Sequence, residues 1–150
     1  MAPEPLHKQV DLRDIKDFQL LLDGLQTLKH GPWKPHDGFS AEEYAAGKPL
    51  VATKVSHALV AHKKVQYHGK FVALRFRGPT KCVLLQEGRI RDLLPFSGEG
   101  TIDGQPLHTG CLTRLTGDAK LEVPADSELY CLWLGEADIA ADVPTLERGK

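Results

Sequence analysis

The chain has 150 residues and a formal net charge of −1, with 41% hydrophobic and 26% charged residues. This length suits one ordinary domain, which can bury a hydrophobic core without stabilising disulfide bonds or metal sites. The balanced composition argues against disorder of the whole chain, and no apolar run reaches the length of a membrane span. The charge is unevenly distributed, because residues 48–91 carry +9, whereas residues 1–47 carry −3 and residues 92–150 carry −7.

The three cysteines, Cys82, Cys111 and Cys131, indicate buried thiols rather than a chemical site. Their number is odd and their spacing is wide, which fits neither a disulfide framework nor a metal knuckle. Each lies within an apolar run, as a small buried hydrophobic residue does. Together with an N-terminus that lacks the pattern of a secretory signal, free thiols predict a reducing, cytoplasmic location.

The N-terminal region is predicted to be helical. Asp11 is a suitable N-cap, and Gly31 followed by Pro32 would end the helix. The residues between them form one apolar stripe at helical spacing: Ile15, Phe18, Leu21, Leu22, Leu25 and Leu28. A capping box of Ser40 and Glu43 predicts a second short helix over residues 41–46.

From Leu50 onward the pattern is that of short strands separated by turns. In residues 72–77, apolar side chains alternate with Arg75 and Arg77, which predicts one buried and one solvated face. Asp103-Gly104 predicts a type I′ hairpin turn. The predicted strands are 50–55, 57–62, 65–68, 71–77, 80–86, 89–94, 100–102, 105–108, 111–115, 119–123 and 128–134.

We therefore predict a mainly β fold. Residues 1–10 are expected to form a flexible tail, and residues 136–150 a second flexible tail. Residues 11–135 would form a single β-rich domain that includes the N-terminal helices within residues 11–47. So many short strands at a spacing near ten residues fit a closed barrel or two packed sheets.

Residues 98–134 resemble the cupin superfamily. The resemblance is carried by the sequence from Gly98 to Leu107, by Gly110, and by the sequence Leu-Glu-Val-Pro-Ala-Asp at residues 121–126. It implies a small cupin-like or jelly-roll β-barrel or sandwich. Cupin enzymes bind a metal through a His-x-His pair, a following Glu and a later His, and this set is not found here. The resemblance therefore implies the fold without the usual metal site.

Other histidines leave an atypical metal site open as an alternative, although no cofactor is predicted. His62 and His68 share strand parity, and His108 could approach from a neighbouring strand. His57 is the fourth candidate, although its parity is opposite to that of His62. A site of histidines, with or without carboxylates, is suitable for zinc or iron. The spacing is not diagnostic, so ordinary surface or loop histidines are the simpler interpretation.

The basic segment is the candidate binding surface. Arg75 and Arg77 share one parity, as do Arg89 and Arg91 on the next predicted strand but one. Lysines at or near the connecting turns would extend this face: Lys63, Lys64, Lys70 and Lys81. Cations on a sheet can bind a phosphate-bearing partner, including single-stranded nucleic acid. Two simpler alternatives remain, namely ordinary solvated side chains, or pairing with the acidic C-terminal block in the same or a neighbouring subunit.

The sequence contains no nucleophile elbow, phosphate loop or dinucleotide fingerprint, so whether the protein is an enzyme stays open. The leading hypothesis is a non-enzymatic cupin-like β module that acts by self-assembly, as a homo-oligomer, or by binding an anionic partner through a basic face. A nucleic-acid or polyanion-binding protein is the second hypothesis. A metal-dependent cupin-type enzyme with an atypical histidine site is the third. No membrane association is predicted.

Overall fold

The computed structural model describes residues 7–16, 18–30, 33–35, 50–60, 66–85, 91–115, 117–135 and 145–148. For residues 34–35, 50–60, 66–71, 85, 135 and 145–148 the description covers the backbone. The predicted second helix over residues 41–46 lies outside these ranges. Within them, the one α-helix is far too short to cross a bilayer.

Antiparallel strands dominate the described chain and form two sheets. A seven-stranded sheet contains β1 (Lys8–Asp11), β2 (Lys34–Pro35), β3 (Leu50–Val60), β4 (Gln66–Arg77), β6 (Arg91–Gly98), β9 (Cys111–Leu115) and β11 (Glu128–Gly135). A five-stranded sheet contains β5 (Thr80–Leu85), β7 (Thr101–Ile102), β8 (Gln105–Pro106), β10 (Ala119–Val123) and β12 (Thr145–Arg148). The predicted mainly β fold is confirmed, although these strands form two separate sheets and no closed barrel.

The order of the larger sheet is β1-β9-β6-β11-β4-β3-β2, and that of the smaller is β12-β5-β10-β7-β8. β11 is central in the larger sheet, where it pairs with β4 from Glu128↔Arg77 to Trp133↔Val72. On its other side it pairs with β6, with a bulge between Tyr130 and Cys131. The pairings of β11 with β4 and with β6 therefore determine which side chains of β4 and β6 share a face of the sheet.

One face of the larger sheet packs towards the smaller sheet. Phe76 on β4 lies opposite Leu129 on β11, and both are fully buried. A Cβ atom added to Gly100 would lie 2.9 Å from Leu129 Cδ2 and 3.7 Å from Val123 Cγ2, which shows how closely the two sheets approach. Leu121 is also completely buried on the smaller sheet. Alternating apolar residues on both sheets thus form one shared hydrophobic core.

The other face of the larger sheet was predicted to be solvated, and this expectation is wrong. Ala73 and Leu132 on this face are buried. The helix α1 (Phe18–Gln26) packs against the sheet on this face, where Phe18, Leu25 and the following Leu28 are buried. The N-terminal segment therefore covers the face that carries Arg75 and Arg77.

The predicted start of this helix at Asp11 is also wrong. Asp11 belongs to β1, and the following Leu12 N–H donates to Gly110 O at 3.0 Å, which extends the pairing with β9. The Asp11 carboxylate accepts hydrogen bonds from the backbone and side chain of Arg13 instead of capping a helix. The helix begins at Phe18, and Ile15 from the predicted stripe is 56% exposed.

Most predicted strands are present, with some changes in their limits. The predicted breaks near residues 56 and 69–70 do not occur, because β3 and β4 run continuously through them. β1 and β12 lie in segments predicted to be flexible tails, where each pairs with a neighbouring strand. The turn at Asp103-Gly104 is confirmed, since both residues have the positive φ values of a type I′ turn, 48° and 81°.

Gly98 and Gly104 offer a matched test of the close approach between β6 and β11. Both have positive φ, but a Cβ atom on Gly98 would lie 1.7 Å from Glu128 O, whereas no atom lies within 4 Å of one on Gly104. We expect Gly98→Ala to lower the free energy of unfolding by more than about 3 kcal/mol, and Gly104→Ala by about 1 kcal/mol. Urea unfolding measures both values, and equal losses would contradict the described packing.

Candidate anion-binding site

The ring of Tyr130 lies beside two cationic side chains that come from distant parts of the chain. Tyr130 on β11 lies directly opposite Arg75 on β4. Arg75 Cζ is 5.6 Å from the ring centroid, and Lys29 Nζ is 5.3 Å from it. These distances are within the range of cation–π attraction, which is on the order of 1 kcal/mol for a partly exposed pair.

Glu128 connects Arg75 to Tyr130 through its two carboxylate oxygens. Arg75 Nη2 donates to Glu128 Oε1 at 2.9 Å, and the Tyr130 hydroxyl donates to Glu128 Oε2 at 2.7 Å. Burial alone would raise the pKa of Glu128, but these two hydrogen bonds and the charges of Arg75 and Arg77 hold it below its usual range. Glu128 therefore remains a carboxylate at neutral pH.

Arg77 adds a third cation to this group. It lies directly opposite Glu128 and shares the face of β4 that carries Arg75, as predicted. We call Lys29, Arg75 and Arg77, with Glu128 and Tyr130, the Tyr130 cluster.

The N-terminal segment holds Lys29 in place through contacts with β6. Gln26 Nε2 donates to Phe96 O at 2.7 Å, and Lys29 Nζ donates to Ser97 Oγ at 3.2 Å. Trp33 Nε1 donates to Lys29 O at 3.0 Å, and the Trp33 ring lies 5.8 Å from that of Tyr130. The position of the Lys29 ammonium thus depends on how helix α1 and the following turn dock on the sheet.

Exposure differs between the members of the Tyr130 cluster in a way that determines what a ligand could contact. Tyr130 is only 8% exposed. The Arg75 side chain is 18% exposed and that of Glu128 is 38% exposed, while Lys29 and Arg77 are half-buried. A ligand could therefore contact the polar ends of these side chains, but the ring is not available for stacking.

Arg91 and Lys81, two of the other predicted basic residues, are not part of the Tyr130 cluster. Arg91 pairs with Gly135, so it lies on the face opposite Arg75 and Arg77. Arg77 lies opposite Glu128 and Arg91 lies opposite Gly135, and these two positions are seven residues apart on β11. The two arginines are therefore separated by about 23 Å along the strand. Lys81 is exposed on the smaller sheet, beside a cavity of about 550 Å³. Lys70 lies on β4, and Lys63, Lys64 and Arg89 fall outside the described residues.

The structure describes the side chain of only one histidine of the alternative metal site, His108. His57 and His68 lie on β3 and β4, where Ala58 is opposite His68. His108 is exposed after β8 and lines a cavity of about 340 Å³ together with Glu99, and His62 is outside the described residues. Among the side chains that the structure describes, no three histidine, cysteine or acidic groups are arranged to hold a metal ion.

All three cysteines are buried and free, as predicted. Burial raises the pKa of Cys82 to about 12 and that of Cys131 well above its usual value. Burial is also the main cause of the raised pKa of Cys111. Because the thiolate is the reactive form, none of the three is suited to nucleophilic chemistry at neutral pH.

The sequence did not single out Lys29, Glu128 or Tyr130. Glu128 and Tyr130 are two residues apart on one strand, so they share a face, and this periodicity was a usable signal. Lys29 could not be linked to them, because it is about a hundred residues away and pairs through tertiary packing. Comparison with known proteins identified no relative, since no family model, curated protein or solved structure matches the chain.

The role of Glu128 can be tested by the pH dependence of stability. A carboxylate whose folded pKa is lowered stabilises the protein above its unfolded pKa, near 4.3, and this contribution is lost as the pH falls through the folded pKa. We expect Glu128→Gln to cost on the order of 1 kcal/mol at pH 7, and less as the pH falls below about 4. Urea unfolding at several pH values measures this.

Glu122→Gln is the matched control, because Glu122 is a more exposed carboxylate on the smaller sheet, 3.5 Å from Lys120. We expect its effect at pH 7 to be smaller than that of Glu128→Gln. If Glu128→Gln lowered the free energy of unfolding by the same amount at every pH, or by more in acid, the result would contradict the described hydrogen bonds.

Thiol reactivity provides a second check. Native protein should react with Ellman's reagent much more slowly than urea-unfolded protein, which should release three equivalents of thiol. Rapid stoichiometric reaction of a native cysteine would show that burial does not protect it.

Proposed function

We propose that this protein is a non-enzymatic β module of cupin-like sandwich architecture that binds an anionic partner at the Tyr130 cluster. The observation that carries the proposal is the convergence of Lys29, Arg75 and Arg77 on one covered face of the larger sheet. The partner is expected to carry phosphate groups, to which arginine can donate two parallel hydrogen bonds.

The arrangement favours binding by charge rather than by base stacking. Proteins that bind single strands without sequence preference usually stack bases on exposed aromatic rings. The Tyr130 ring is buried beneath Trp33, Lys29 and Arg75, so it supports the cations instead. Affinity for a nucleic acid should therefore follow its phosphate charge and be nearly independent of base sequence.

Preorganisation also supports the proposal. Glu128 and the Tyr130 ring hold Arg75, and Ser97 and the same ring hold Lys29. Side chains that are ordered before binding lose less conformational entropy when a ligand is bound. The Glu128 carboxylate opposes an anion and should lower the affinity. Because contact between the cations and phosphate groups releases counterions, we expect binding to weaken as the salt concentration rises.

The test measures binding of a labelled oligothymidylate by fluorescence anisotropy over a range of salt concentrations. The double substitution Lys29→Gln and Arg77→Gln should weaken binding by at least about tenfold at 0.1 M salt. It should also reduce the slope of log Kobs against log salt by about 1.4, since each phosphate contact on a single strand contributes about 0.7. Inorganic pyrophosphate should compete for the same site.

The matched control is the double substitution Lys81→Gln and Arg91→Gln, which removes the same charge from two positions outside the Tyr130 cluster. Its affinity should stay within about twofold of the unmodified protein. Equal losses from the two double variants would mean diffuse attraction rather than a site. No salt-dependent binding of either anion by the unmodified protein would overturn the proposal.

A further inference from the structure

β1 forms one edge of the larger sheet, and its outward backbone groups are not all satisfied within the described residues. Leu12 N–H donates to Gly110 O on the side of β9, so even-numbered residues of this strand face β9. Odd-numbered residues face away from it. At His7 the amide of Gln105 satisfies both outward groups, at 2.9 and 2.8 Å. No described group hydrogen-bonds to the outward backbone of Gln9 or Asp11.

An exposed apolar side chain lies beside this edge. Val10 is 41% exposed, and it lies directly opposite the half-buried Leu112 on β9. With Lys8 and Arg114 these two residues line a hollow of about 210 Å³. Val10 and Ile15 are the large hydrophobic residues that are exposed in the described part of the chain.

β1 also lacks the protection found at two of the other sheet edges. β2 and β8 are each two residues long and contain a proline, which has no N–H to donate to an added strand. β1 has four residues and no proline. Its geometry is therefore suited to pairing with another strand.

In one register, a second copy of the chain can pair with the outward backbone groups of both Gln9 and Asp11. For a two-fold antiparallel pair, opposite residues must share a face of the continuous sheet. If Gln9 lies opposite Asp11 of the second copy, the outward groups of both residues are used in each copy, and Val10 meets Val10 across the axis. The alternative, with Gln9 opposite Gln9, places Asp11 opposite His7, whose backbone is already held by Gln105.

The chosen register provides four intermolecular backbone hydrogen bonds. It also brings the two copies of Val10 to a Cα separation of about 4.5 Å, as in a non-hydrogen-bonded antiparallel pair. Leu112 flanks Val10 in each copy, so four apolar side chains form one strip across the axis. In this register Lys8 faces Leu12 of the second copy, so the two copies of Lys8 do not lie opposite each other.

We propose that the β1 edge is a homodimer interface, at which two copies pair their larger sheets antiparallel with Val10 on the two-fold axis. This surface is distinct from the Tyr130 cluster. The occupant is a second copy because the register is self-complementary in hydrogen bonds and apolar contacts.

Analytical ultracentrifugation over a concentration series tests the proposal on the full chain. The unmodified protein should show a reversible monomer–dimer equilibrium. Val10→Lys places two ammonium groups at the axis and should raise the dimer dissociation constant by at least about tenfold. Ile15→Lys makes the same change at the other exposed hydrophobic residue and should leave that constant within about twofold.

Cross-linking and hydrogen exchange test the register itself. Val10→Cys should form a disulfide-linked dimer under mild oxidation, because the two introduced thiols would lie opposite each other at the axis, and Ile15→Cys should not. The native cysteines are buried and should not compete. The amide protons of Gln9 and Asp11 should become more protected as concentration rises, whereas that of Val10 should be protected throughout. A protein that stays monomeric, a dimer unaffected by Val10→Lys, or capture of an unrelated strand in place of a second copy would overturn the proposal.

Discussion

The contact between the Tyr130 ring and the N-terminal segment joins parts of the chain that are about a hundred residues apart. Trp33 and Lys29 lie against one ring, and Arg75 on β4 lies against the same ring. Phe96 on β6 also lies near this ring, with its centroid 6.1 Å from that of Tyr130. Because the ring is buried, its position is set by core packing, and it supports the neighbouring cations without being exposed to solvent.

Alternation along the strands explains why the described arginines of the basic segment, residues 48–91, do not all share one face. Arg75 and Arg77 lie on one face of the larger sheet and Arg91 lies on the other, as the pairing of β4 and β6 with β11 determines. Arg75 turns towards Glu128 of the acidic C-terminal block, so part of the opposite charge is paired within one subunit. Arg114 and the buried Asp92 form a further ion pair, within the acidic block itself. The net charge of a sequence segment therefore does not by itself predict a charged surface.

Strands were predictable where the signal is local. The alternation in β4, the apolar run in β11 and the Asp103-Gly104 turn all depend on adjacent residues, and they are present as expected. The start of the helix was not predictable, because Asp11 joins a sheet whose partner strand is a hundred residues away. Lys29 and Glu128 were missed for the same reason, since only tertiary packing brings them together. The resemblance to cupins remains an expectation about the type of two-sheet architecture.

The most direct test of the account is to locate a bound anion on the protein by NMR. Titration with inorganic pyrophosphate at low salt, followed through backbone amide and arginine Nε–Hε signals, reports which residues change. We expect saturable shifts at Lys29, Arg75, Arg77 and Tyr130 that follow one binding curve. Shifts centred on Arg91 and Lys81 instead, or small linear changes spread over all basic residues, would contradict an anion site at the Tyr130 cluster.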